Sequence, residues 1–160
     1  MTTEPSIRRA QATDLAAVYA GELAYIREVE PHQEARWEDA IPQHLRQWTA
    51  ALDRMFIAEL AGEVIGHSFW DVAGRNAELA SIYVAPAHRR RGIGRQLMAL
   101  FLEDAEADGM ATATLGVRPD NPARRLYEGL GFARTHDMDG YCRYSLALTA
   151  PSLGANDNPA

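Results

Sequence analysis

The chain has 160 residues, of which 47% are hydrophobic and 24% charged. That balance fits one soluble globular domain with its own core and excludes a wholly disordered chain. No apolar run approaches the roughly 20 residues that span a bilayer, and the opening MTTEPSIRRAQ lacks the apolar stretch of a signal peptide. The expectation is therefore a cytoplasmic protein with no membrane partner. The formal net charge is −6, yet Arg89, Arg90, Arg91 and Arg95 fall together with no acid among them. A compact basic loop on an acidic protein points to a local anion site, and away from a nucleic-acid-binding face, which would be broader.

In chain order, Ser6 to Arg9 reads as a short strand. Thr13 or Asp14 caps a helix with apolar positions at Leu15, Val18, Leu23 and Ile26, interrupted by Pro31. Pro42 suits the first turn of a second helix, where Leu45, Trp48 and Leu52 share a face. Met55 to Leu60, Val64 to Val72 and Ala77 to Val84 form a three-stranded meander, its turns marked by Gly62 and Gly74. From Ile93 the apolar residues Leu97, Leu100, Phe101 and Ala105 recur at helical spacing, with Gly109 as C-cap. Ala111 to Val117 is a strand and Pro122 to Leu130 a short helix. Ala133 to Asp137 and Tyr141 to Leu148 close a hairpin around Asp139-Gly140. The order β-α-α-β-β-β-α-β-α-β-β describes an α/β protein, a mixed sheet with helices on its faces, over residues 1–148. Residues 149–160, small and polar with Pro and Gly, read as a disordered tail.

The most informative stretch runs from Ser81 to Arg95, SIYVAPAHRRRGIGR. A buried strand enters a loop, and the loop opens an amphipathic helix. Gly92 and Gly94 let a ligand approach the backbone closely. The first amides of the helix are unpaired and lie at the positive end of its dipole, as a pyrophosphate requires. A P-loop needs a lysine, and this chain has none: all sixteen of its cationic side chains are arginine. A dinucleotide fingerprint needs a third glycine where Leu97 stands. The remaining pattern is [QR]-x-x-G-x-[GA], satisfied by Arg89, Gly92 and Gly94.

With this loop the sequence resembles the GNAT superfamily of N-acetyltransferases. Asn121-Pro122-Ala123-Arg124-Arg125-Leu126-Tyr127-Glu128-Gly129-Leu130-Gly131-Phe132 is similar to that family's N-x-x-A-x-x-L-Y-x-x-x-G-F segment. The resemblance covers roughly residues 6–148. It implies the GNAT fold, a mixed, mostly antiparallel central sheet with helices on both faces, and acetyl-CoA as cosubstrate. It implies that the amides of Arg90, Arg91, Gly92, Ile93, Gly94 and Arg95 hold the pyrophosphate, and that arginines of the loop, Arg89 among them, meet the 3′-phosphate. The strand before the loop would carry a β-bulge and splay from its neighbour. The backbone of Ile82, Tyr83 and Val84 would then flank the pantetheine arm, with Ile82 and Val84 pairing to it and the Ile82 amide polarising the thioester carbonyl.

Amide formation needs two proton transfers. Tyr127 matches the family tyrosine near the sulfur, and a phenol carries its proton at neutral pH, so Tyr127 is the candidate acid. Several GNAT branches carry a glutamate eleven positions before Arg89, which makes Glu78 the candidate base, prepared by partial burial. Asn121 hydrogen-bonds the pantetheine amide or caps the helix that begins at Pro122, and both roles are compatible. His67 and Asp71 share a strand face, where pairing or exposure is the expectation. The other histidines show no metal-ligand spacing, so no metal is expected. Trp37 and Trp48 are read as core. Cys142, the one cysteine, lies outside both motifs. This favours direct attack in a ternary complex over an acyl-enzyme.

The acceptor is expected to be a small-molecule amine, because residues 14–63 hold ten acids and four arginines. Protein or peptide amines are the alternative acceptors. A non-catalytic acyl-CoA-binding regulatory module is the reading from another class, and the presence of both Tyr127 and Glu78 speaks against it. Similar proteins are often dimers, which leaves a homodimer through the closing strands open.

Overall fold

In the computed structural model, which describes residues 4–149, the periodicities become seven strands and five α-helices. They are β1 (Ser6–Arg9), α1 (Leu15–Val29), α2 (Glu34–Asp39), α3 (Ile41–Ala50), β2 (Met55–Leu60), β3 (Glu63–Ala73), β4 (Asn76–Val84), α4 (Ile93–Ala107), β5 (Thr112–Val117), α5 (Arg124–Gly129), β6 (Ala133–Met138) and β7 (Tyr141–Ala147). The strands form one mixed sheet in the order β1-β2-β3-β4-β5-β7-β6. The β4–β5 pair is parallel. The pairs β1–β2, β2–β3, β5–β7 and β6–β7 are antiparallel. Of the expected tail, all but Thr149 lies outside the described residues.

Three differences from the sequence reading have local causes. Helix α2 was not anticipated: it has six residues and buries only Trp37, too little to show a periodicity. Leu45 does not join the buried face of α3. It is 43% exposed, while Trp48 is 1% exposed. Asp14 does not cap α1 with its side chain. Its carboxylate turns back to receive two hydrogen bonds of 2.8 Å from Arg8 and one of 2.7 Å from the Gln11 amide.

The chain divides into two compact units. The first contains the residues up to Asp71 together with Ala80–Phe101. Here β2 is buried on both faces, which is why it reads as an unbroken apolar run. Met55 and Ile57 join Val18, Trp37, Trp48 and Phe69 on the side of α1, α2 and α3. Phe56 and Ala58 face the other way, against Ile93 and Leu97 of α4. The β2–β3 register steps from Ala58–Gly66 to Glu59–Val64, leaving Ile65 as the extra residue of a bulge.

The second unit contains Val72–Leu79 and the residues from Leu102 onward. Ala113, Leu115 and Val117 of β5 are buried at the strand period of two. The β6–β7 hairpin turns on Asp139 and Gly140, both at positive φ, the backbone of a type I′ turn. Arg124 of α5 donates to the Tyr144 hydroxyl on β7, which donates to Glu128. Among the described residues no helix is long and apolar enough to cross a membrane.

The Arg8–Asp14 pair allows a pH prediction. The Arg8 guanidinium and the Gln11 amide hold the Asp14 carboxyl below the usual carboxylate range. Its contribution to stability is present above the unfolded carboxyl's pKa and disappears as pH falls through the depressed folded one. Asp14→Asn should therefore cost about 2 kcal/mol at neutral pH. In urea titrations the gap to wild type should close as pH drops below about 3.9.

Candidate active site

Strand β4 is positioned by β3. The Ala85 amide donates to the Ile65 carbonyl at 2.8 Å, and the Tyr83 carbonyl lies so close to Gly66 that a Cβ there would sit 2.6 Å from it. Strand alternation then turns the peptide groups of Ile82 and Val84 to the opposite edge. The β4–β5 ladder consists of Asn76–Thr112, Ala77–Ala113 and Glu78–Thr114. The Val84 carbonyl accepts from Arg89 Nε at 2.8 Å.

After β4 the chain makes a 3-10 turn over Pro86–His88, and then Arg89 is extended. Arg90 and Gly92 both lie at positive φ, +63° and +81°. For Arg90, which has a Cβ, that backbone costs roughly 1–2 kcal/mol, the kind of local strain found at ligand loops. The first bond into α4 runs from the Gln96 amide to the Gly92 carbonyl. The amides of Ile93, Gly94 and Arg95 thus precede the helical ladder, at the positive end of the dipole of a fifteen-residue helix, a geometry that suits an anion.

The loop arginines divide in two. Arg89 is clamped by both oxygens of Glu28 on α1, at 2.6 and 2.8 Å, and lies 5.9 Å from the Tyr83 ring centre. This pair holds the Glu28 carboxyl below its ordinary range and raises the Arg89 guanidinium. The Arg89 side chain thus braces the loop against α1 as a strut, a contact that the sequence reading, which expects Arg89 among the phosphate ligands, does not foresee. Arg90, Arg91 and Arg95 are exposed, as Arg89 is, but make no such clamp among the described residues.

Glu78, Asn121 and Tyr127 lie in the second unit. Glu78 is paired: Arg143 donates to its Oε2 at 2.8 Å, and the Thr114 hydroxyl donates to the same oxygen. The sequence reading anticipated its partial burial but not this arginine. Asn121 accepts from the Ala123 amide at 2.9 Å and so shapes the entry to α5. Tyr127 is buried on α5, with its ring 6.4 Å from that of Phe132.

A polar cluster in the first unit was not picked out from sequence. His67 Nε2 and the Ser81 hydroxyl both bond to Oε1 of Glu22, the former at 2.8 Å. His67 is 1% exposed. Its expected pairing holds, and Asp71 likewise accepts from Gln47 at 2.8 Å. The partners of Glu22 are 45 and 59 residues away, so no local pattern announced them. Among the described residues no group of three or more His, Cys, Asp or Glu side chains is placed to hold a metal ion.

A strand edge leading into an arginine-rich helix start is the arrangement the sequence reading expects for an acyl-CoA-type anion site. The chain belongs to the acetyltransferase (GNAT) family, whose profile matches residues 21–132. Mycothiol acetyltransferase of Streptomyces avermitilis is 39% identical over 87 residues, which are 52% of this chain and 28% of that protein. Phosphinothricin N-acetyltransferase of Streptomyces viridochromogenes is 33% identical over 141 residues, covering 79% of this chain and 73% of that one. This chain spans 28% and 39% of the length of two mycothiol acetyltransferases that it matches. The fold is shared with the PaiA N-acetyltransferase of Thermoplasma acidophilum, solved in complex with coenzyme A. That likeness has a TM-score of 0.75 and 15% identity, covering 90% of this chain and 99% of that one.

Proposed function

We propose that the protein transfers the acetyl group of acetyl-CoA to a primary amine of a small molecule, by direct attack in a ternary complex. The observation that carries this reading is the start of α4. Three amides outside the helical ladder and three exposed arginines follow a strand whose Ile82 and Val84 peptide groups face away from β3. The pyrophosphate takes the amides of residues 90–95, the 3′-phosphate takes Arg90, Arg91 or Arg95, and the pantetheine arm pairs with Ile82 and Val84. The Ile82 amide stabilises the oxyanion of the tetrahedral intermediate. Tyr127 gives its proton to the departing thiolate, with Asn121 on the pantetheine side. Cys142 is fully buried, which disfavours a covalent acyl-enzyme. The acidic composition of residues 14–63 and the likeness to phosphinothricin N-acetyltransferase favour an amino-acid-like or other cationic amine.

Calorimetric titration with acetyl-CoA, compared with dephospho-CoA, tests the reading. Micromolar-range binding that weakens when the 3′-phosphate is removed is expected. A folded sample that binds neither overturns it.

The Arg89 strut gives a second expectation. Glu28→Gln removes the charge that clamps Arg89 and loosens the loop. The Kd for acetyl-CoA should rise several-fold, about the effect of one exposed ion pair worth up to about 1 kcal/mol. The midpoint of urea unfolding should move little.

A further inference from the structure

We propose that the cavity bounded by α1, β3 and β4 receives the amine end of the acceptor, and that His67, oriented by Glu22, takes the proton of its ammonium group before attack. This rests on the acetyl-transfer reading above.

The cavity has a volume of about 210 Å³, with walls that include Ala17, Ala20 and Gly21 of α1, Gly66 and His67 of β3, and Tyr83 of β4. It is smaller than the roughly 300–1,000 Å³ of whole-ligand pockets, and suits one end of a substrate. Small side chains make the space. Gly21 sits inside α1, where glycine costs about 1 kcal/mol relative to alanine. A Cβ there would lie 2.9 Å from His67 Cε1 and 3.0 Å from Tyr83 Cδ1. The missing methyl is what lets both rings lie against the helix.

The hydrogen bonds fix the chemistry. Carboxylate oxygen only accepts, so His67 presents N–H at Nε2 to Glu22 and keeps Nδ1 as an acceptor. Glu22 then stabilises the imidazolium once Nδ1 is protonated. The titratable groups facing His67 are Glu22 from α1 and Tyr83 from β4, its ring centre 5.8 Å away. Arg89 and Glu28 stand beyond Tyr83. Burial pushes the Tyr83 phenol up, so it stays neutral. Ser81, the other partner of Glu22, immediately precedes Ile82, whose amide serves the thioester carbonyl. The pair thus stands beside the strand that presents the acyl group. Glu78, by contrast, is committed to Arg143 and Thr114.

In the step, R–NH₃⁺ gives a proton to Nδ1 and the freed lone pair attacks the thioester carbon. The C–N bond forms, the C–S bond breaks, and the thiolate takes a proton from Tyr127. The second amine proton restores the Tyr127 phenol, and His67 passes the first to solvent. His67 is then catalytic, and Glu22 a positioning residue.

The test uses the full chain with phosphinothricin, ethanolamine and an alanine-terminated peptide as acceptors. His67→Ala should lower kcat/KM for the accepted amine on the order of 100-fold and remove the acidic limb of its pH profile. The Kd for acetyl-CoA should hold, and added imidazole should restore the rate saturably. Glu22→Gln, which keeps the shape, should lower kcat about tenfold and displace the same limb. If His67→Ala does not fold, the Glu22→Gln profile decides. An unmoved acidic limb, absent rescue, or loss of the limb only in Glu78→Gln overturns the proposal. A wild type that binds acetyl-CoA but acetylates none of the three overturns it together with the small-amine reading. Failure to bind acetyl-CoA at all is the separate failure of the acetyl-transfer reading.

Discussion

Tyr127→Phe is expected to lower kcat on the order of 10²–10⁴-fold while leaving the Kd for acetyl-CoA within about twofold. The substitution removes one oxygen and keeps the ring against Phe132, so the packing of α5 survives. The thiolate then leaves without its proton donor, and that loss falls on the transition state, not on cofactor binding. Thiol release at saturating acetyl-CoA measures kcat, and calorimetry measures Kd. Equal turnover in the two proteins removes Tyr127 from the mechanism. A parallel loss of Kd and kcat makes it a packing residue.

The largest effect on stability is expected from Trp70→Ala, at about 3–5 kcal/mol. Trp70 is fully buried on β3. Its ring centre lies 6.1 Å from that of Phe101 on α4, with Arg54 5.5 Å over its face. Arg54 also donates to the Trp70 carbonyl at 2.9 Å. A loss of this size is a large share of the roughly 5–15 kcal/mol that holds a domain folded. The urea midpoint should fall with the m-value unchanged. Acetyl-CoA at about 100 times its Kd should return about 2.7 kcal/mol, because it binds only the folded state. A cost below about 1 kcal/mol would mean that β3 and α4 close over the gap, since large-to-small substitutions cost least where the site can collapse.

The contrast between what was legible and what was not follows sequence distance. The meander, the long helix α4 and the Asp139-Gly140 turn are set by residues within a few positions of one another, and each was read correctly. The loop motif was legible for the same reason: Arg89, Gly92 and Gly94 fall within six residues, and a loop opening α4 stands there. Side-chain partnerships across the fold were not legible. Glu28 and Arg89 are 61 residues apart, and Glu78 and Arg143 are 65 apart. Nothing in a local pattern says that Arg89 pairs with a helix 61 residues away and Arg90 does not. His67 and Glu22 lie 45 residues apart, and a strand and a helix must dock before they meet. Gly21 was the one available signal: a glycine inside an apolar helical stretch announces close approach, though not of what.

The backbone at Arg90 has an evolutionary consequence. A glycine or asparagine would relax the left-handed conformation there and return up to about 1 kcal/mol to the unliganded fold. An arginine in that place therefore costs stability. On the proposed anion role, conformational ease and grip on the anion pull in opposite directions in this loop. If Arg90 holds acetyl-CoA as proposed, selection for heat resistance alone should discard it early, and the survivors should be sturdier proteins with a poorer hold on acetyl-CoA.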